Sequence, residues 1–150
     1  MVLRKAALGP WDPRVSQGWL YFLGRAAERH AVAVHHTMLV VSHHHTLVTP
    51  NEDNIAEFLH DLHQRMSCFL NTLLEQRGFD SLDQVFEGRH THRMRCLDRE
   101  AMVEQLMYQQ VQNVAAGSVK LPEEMPGNAF DFSLWRPGRL PGESWRLLWV

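Results

Sequence analysis

Three histidines stand in a row at His43-His44-His45, with the β-prone residues Val40 and Val41 before them and Leu47 and Val48 after. In a strand, successive side chains point to opposite faces. His43 and His45 therefore share one face, and His44 takes the other. Two neutral imidazoles on one face, two residues apart, make a pair of divalent-metal ligands. A surface hairpin that binds nothing could carry the same triplet, so the reading needs a second set of donors. Tyr108 and Gln112 supply it. Four residues apart, they lie on one side of a helix. A tyrosine fixed on a helix and facing a cleft can act as a nucleophile, and an amide oxygen can ligate a hard divalent ion. On an ordinary helix face, the same two residues would only pack and be solvated. The densest basic stretch holds Arg89, His90, His92, Arg93 and Arg95. It is a candidate contact to a nucleic-acid backbone, and its plain alternative is a solvated strand face.

These residues need elements to hold them. A helical pattern runs from Val15 to about His30, with Trp19, Leu20, Leu23 and Ala27 on roughly one face. The breakers Gly9-Pro10 and Asp12-Pro13 precede it. Ala31 to Val40 reads as a strand, a turn near Val41-Ser42 reverses the chain, and His43–Thr49 returns as its antiparallel partner until Pro50 stops it. Asn51 or Asp53 can cap the next helix. There Ile55, Phe58, Leu59, Leu62, Met66, Phe69, Leu70 and Leu73 recur at helical spacing up to Gly78. His60 and His63 border that stripe as boundary residues. Arg89–Leu97 alternates like a strand, with Arg89, Thr91, Arg93 and Arg95 on one face and Met94 and Cys96 on the other. Asp98 can cap a helix from Arg99 to Ala115, whose buried side is expected at Val103, Met107, Val111 and Val114, and Gly117 ends it. The tail from Lys120 is rich in Pro and Gly and shows no usable periodicity.

The chain of 150 residues, 45% apolar, suffices for one domain with a core. No apolar run is long enough to span a bilayer, and residues 1–20 lack a signal-peptide pattern. Two cysteines without a secretory signal read as reduced thiols, and the cytoplasm is the expected compartment. A net charge of -2 gives no global attraction to nucleic acid, so any such binding needs a local basic patch.

The order of these parts resembles the REP-associated tyrosine transposases and their single-tyrosine HUH relatives, over about residues 11–127. The anchors are Ala26-Ala27-Glu28-Arg29 before the first strand, the His43-His44-His45 motif, and Phe86-Glu87-Gly88-Arg89. Val103-Glu104-Gln105-Leu106-Met107-Tyr108 follows, then Val114-Ala115-Ala116-Gly117-Ser118-Val119 and Pro122-Glu123-Glu124-Met125-Pro126-Gly127. The resemblance implies an α+β fold with a ferredoxin-like antiparallel sheet packed against helices. It implies a domain over 11–127 and a Pro/Gly/Trp-containing tail over 128–150. It implies His43, His45 and Gln112 as ligands of Mg²⁺ or Mn²⁺, Tyr108 as nucleophile, and single-stranded or hairpin DNA as partner, with a homodimer as an assembly common among relatives. The chain departs from the family in places. His44 replaces a bulky apolar residue and should face the core side of the sheet, where a neutral imidazole needs a hydrogen-bond partner. Val40-Val41-Ser42 stands where relatives have Met-Pro-Asn or Met-Ser-Asn, and Gln112-Asn113 where they have Asn-Pro. The strand that opens the family's fold has no counterpart in residues 1–16, which reads as a truncated or mis-started copy.

The chemistry implied is metal-dependent cleavage and transfer of single-stranded DNA through a 5′-phosphotyrosine. A phenol with a solution pKa of about 10 must be activated by the metal or a base. Two other readings stand beside this one. A catalytically decayed or domesticated relative would hold hairpin DNA without cutting it. A histidine-rich hydrolase or metal-storage domain would bind metal without Gln112 and give Tyr108 no role.

Overall fold

The computed structural model describes residues 9–40, 43–51, 53–86, 91–126, 129–130 and 145–149. The first helix, α1 (Pro13–Arg29), starts where Asp12 accepts a hydrogen bond from the Arg14 amide, with Pro13 at the first helical position. Asp12-Pro13 thus starts the helix rather than breaking it. Trp19, Leu23 and Ala26 are buried on its inner face, whereas Leu20 is exposed. The strands β1 (Val32–Leu39) and β2 (His44–Pro50) pair antiparallel, as the pattern predicts. Their register shifts between Val34 and His36, a bulge that resets which face each later residue of β1 takes. The Val40 amide donates to the His43 carbonyl across the turn.

The longest helix, α2 (Ile55–Gln76), buries the predicted stripe, with Leu74 added and Phe69 only partly covered. Its N-cap is Asn54, not Asn51 or Asp53, and the Asn54 amide donates to the His30 carbonyl instead of capping. Gly78 ends it with φ +77°. Then come β3 (His92–Cys96) and α3 (Arg99–Ala115), the latter capped by Asp98, which accepts from the Ala101 amide at 2.8 Å. A single 3₁₀ turn (Pro122–Glu124) precedes two further strands, β4 (Ala129–Phe130) and β5 (Trp145–Trp149).

The sheet has five strands in the order β3-β5-β2-β1-β4, and every pair is antiparallel. α1, β1, β2, α2 and β3 follow one another as the last five elements of a β-α-β-β-α-β ferredoxin-like unit. The remaining element, the unit's fourth strand, comes from farther along the chain: β5 lies between β2 and β3. Backbone from both sides of residue 127 therefore builds one sheet, and the 11–127 domain and the 128–150 tail share it. α1 and α2 cover one face, where Trp19, Leu39, Val48, Phe58, Leu62 and Met66 belong to the main core. α3 covers the other face, with Met102 and Leu106 against Leu47 and Cys96. Among the described residues no helix is long and apolar enough to cross a membrane.

Candidate metal and nucleophile site

β2 presents its histidines to two different layers. His44 points into the main core and is fully buried. Its ring lies 4.4 Å from that of Trp19, its Nδ1 is 3.1 Å from Thr46 Oγ1, and its Nε2 is 3.0 Å from His63 Nε2. The partner that a buried imidazole requires is thus present on both nitrogens. His63 is no mere boundary residue: it stacks on Phe86 at 4.3 Å and closes this network from α2. Burial holds His44 well below its ordinary pKa and His63 at about 4. His60 is exposed, as a boundary residue would be.

His43 and His45 point to the α3 side, and their Nε2 atoms converge to 3.0 Å. Two ligands at right angles, each about 2.1 Å from an ion, are separated by about 3.0 Å. Burial, and then the repulsion of His43, bring His45 down to about 4, with the nearby Gln112 amide acting in the opposite sense. Burial also lowers His43. Both rings are neutral near pH 7, the form that ligates metals. Gln112 of α3 lies within hydrogen-bonding reach of His45, and its buried Oε1 has no protein partner placed to satisfy it. That donor set, two imidazoles and an oxygen needing a partner, suits a divalent ion. Among the described residues no group of three His, Cys, Asp or Glu side chains could hold a metal.

The inner face of α3 differs from the expected one. Met102, Leu106, Gln109 and Asn113 are buried, whereas Met107 and Val111 are 64% and 53% exposed. The expected stripe lies about a third of a turn away around the helix. Tyr108 is exposed, one turn before Gln112 on the same flank. Three more polar residues enter the layer beneath α3. Gln109 is fully buried, the Asn113 amide donates to Met38 Sδ at 3.1 Å, and His36 is buried close enough to His45 to affect its charge. His36 takes this face because of the bulge in β1, and a bulge leaves no mark in a period-2 pattern. Gln109 and Asn113 were discoverable only as the polar members of a second possible helix face.

The basic stretch is divided. Met94 and Cys96 pack with Leu47 beneath α3, so Arg93 and Arg95 alternate to the opposite face of the sheet from the histidine pair, and both are exposed. His92, exposed, shares the parity of Met94. Arg89 and His90 lie outside the described residues, as does the Glu87-Gly88-Arg89 part of the aromatic-Glu-Gly-Arg segment. Comparison of the chain with protein-family models, with curated proteins and with solved structures returns no match to any of them.

Proposed function

We propose that this chain is a single-tyrosine HUH transposase-like enzyme that cleaves and transfers single-stranded, hairpin-flanked DNA in the cytoplasm. The observation that carries the reading is the convergence of His43 and His45 Nε2 at 3.0 Å beneath the helix that bears Gln112 and Tyr108. His43, His45 and Gln112 would hold Mg²⁺ or Mn²⁺, and a bound ion of this kind polarises a scissile phosphate. Tyr108 sits one helical turn from Gln112, about 6 Å along the same flank, at a solvent-facing position that a DNA strand can reach. Its phenolic oxygen attacks phosphorus, the P–O3′ bond breaks, and the 3′-oxygen leaves with a proton. The product is a 5′-phosphotyrosine whose retained bond energy allows rejoining to a later strand. His92, Arg93 and Arg95, with Arg89 and His90, remain proposed contacts to the DNA backbone. Because Arg93 and Arg95 lie across the sheet from the histidines, their contacts would fall on a part of the DNA away from the cut. A homodimer is the assembly we propose.

The test is incubation of the protein with labelled single-stranded hairpin DNA, with Mn²⁺ or with chelator, beside Tyr108→Phe and His45→Ala. A covalent protein–DNA adduct is expected with Mn²⁺ alone, and neither variant should form it. The departures at Val40-Val41-Ser42 and Gln112-Asn113 from the family pattern favour one second reading, a hairpin-DNA-binding protein that no longer cuts. Tight hairpin binding without an adduct would select that reading. Neither binding nor adduct from folded protein would refute both.

A further inference from the structure

α3 sits on the sheet in two unlike halves. Its first half is held by apolar burial, with Met102 and Leu106 against Leu47 and Cys96. Its second half turns Gln109 and Asn113 onto the sheet, 0% and 1% exposed. Among the described residues, both amide atoms of Gln109 and the Oδ1 of Asn113 have no hydrogen-bond partner. A buried polar group left in this state is destabilising. Meanwhile Met107 and Val111 face solvent about a third of a turn away. Burial therefore favours a different orientation for this half. One contact opposes that tendency, Gln112 against His45. Turning Met107 and Val111 inward would carry Gln112 to the outer side of the helix.

We propose that a divalent ion shared by His43, His45 and Gln112 seats the second half of α3 on the sheet, so that Tyr108 is in place only when the ion is bound. This rests on the metal reading above. Gln109 and Asn113 are what make the seat weak enough for an ion to decide it. Off the sheet, a half-helix of this length frays, because so few residues cannot hold a helix alone.

Hydrogen exchange on the full chain, followed by mass spectrometry, reads the seating directly. Peptides spanning 107–117 report on α3, and peptides spanning 58–74 of α2 serve as the reference. Mn²⁺ binding is measured separately by electron paramagnetic resonance. At saturating Mn²⁺, exchange across 109–115 slows by the factor by which loss of Gln112 weakens Mn²⁺ binding, because the histidines keep the ion when α3 lifts, and α2 does not change. Gln112→Ala should still bind Mn²⁺ through the histidines, more weakly, with no slowing. Gln109→Leu combined with Asn113→Leu should exchange slowly without Mn²⁺. Mn²⁺ binding with unchanged exchange in α3 overturns the proposal and leaves the metal reading standing. Equal slowing of α3 and α2 also overturns it, because the ion would then stabilise the whole fold. No Mn²⁺ binding that depends on His43 and His45 overturns the metal reading and this proposal together.

Discussion

His44 is where a single side chain tests the logic of the fold. The alternation of β2 placed it opposite His43 and His45 from sequence alone. Its partners could not be read, because His63 comes from another helix and the match is a product of packing. The network runs from Trp19 Nε1 to Thr37 Oγ1 at 2.9 Å, on to Thr46 Oγ1 at 3.1 Å, then to His44 Nδ1 and finally from His44 Nε2 to His63 Nε2. An indole N–H can only donate. Thr37 accepts there. With its own proton on Thr46, and that of Thr46 on His44 Nδ1, His44 is protonated on Nε2 and His63 on Nδ1. Nitrogen chemical shifts of the two rings at pH 7 should show these opposite tautomers, and the reverse pair would break the directional argument. The same network sets a pH dependence. Burial lowers His63 to about 4 in the folded chain, against about 6.5 when unfolded. The unfolded state therefore binds more protons between these values, and stability falls as the solution is acidified. The contribution of His63 is fully present above about pH 6.5 and is lost progressively down to about pH 4, for a total of about 3 kcal/mol. His63→Gln keeps an acceptor for His44 Nε2–H and removes the titration. Urea unfolding at a series of pH values should give a flatter profile for this variant, and an unchanged slope would mean that other groups carry the acid sensitivity.

Helix ends other than the start of α2, which lies at Asn54, were legible because caps are local. Asp98 before α3 and the glycines after α2 and α3 act through neighbouring backbone, Gly117 taking φ +69° as the chain leaves α3. The face of α3 was not legible, because its sequence offers two stripes. Val103, Met107, Val111 and Val114 make the more apolar one, yet the sheet receives Met102, Leu106, Gln109 and Asn113. A periodicity argument selects the more hydrophobic face and cannot weigh a contact such as Gln112 to His45, which joins two distant segments. The choice has a measurable cost. Gln109→Leu replaces a buried amide without partners by a side chain of similar volume that needs none. It should raise stability by about 1–3 kcal/mol, read as a higher denaturant midpoint at unchanged slope. A lower midpoint would mean that the amide is satisfied in solution, by bound water for example, and that α3 is better seated than its side chains suggest.

The order of helices and strands from Pro13 to Ala115 could be read because each element is set by its own period and its own caps. The centre of the sheet could not. A ferredoxin-like unit needs a strand between β2 and β3, and the segment before α1 showed none. β5 takes that place, pairing Leu147 with Leu47 on one side and with Met94 on the other. Its sequence carries no strand signal, because Trp145–Trp149 is five residues long and nearly all apolar, follows a Pro/Gly-rich stretch, and is far in sequence from both partners. A short, nearly all-apolar run shows no alternation. Its position also makes it the joint of the molecule. β3 meets the sheet through β5, and Met94 and Cys96 of β3 form part of the seat of α3. Loss of β5 should therefore detach β3, then unseat α3, and so remove Gln112 from the histidine pair. Leu147→Pro deletes a donor in a strand paired on both sides, where proline is not tolerated, while Leu147→Val keeps the N–H. The proline variant is expected to lose its cooperative unfolding transition and, with it, the Mn²⁺ binding proposed above, with the valine variant close to the parent in both. If Leu147→Pro unfolds cooperatively at the parent's midpoint, the C-terminal strand does not hold the sheet together, and β2 and β3 must be joined in some other way.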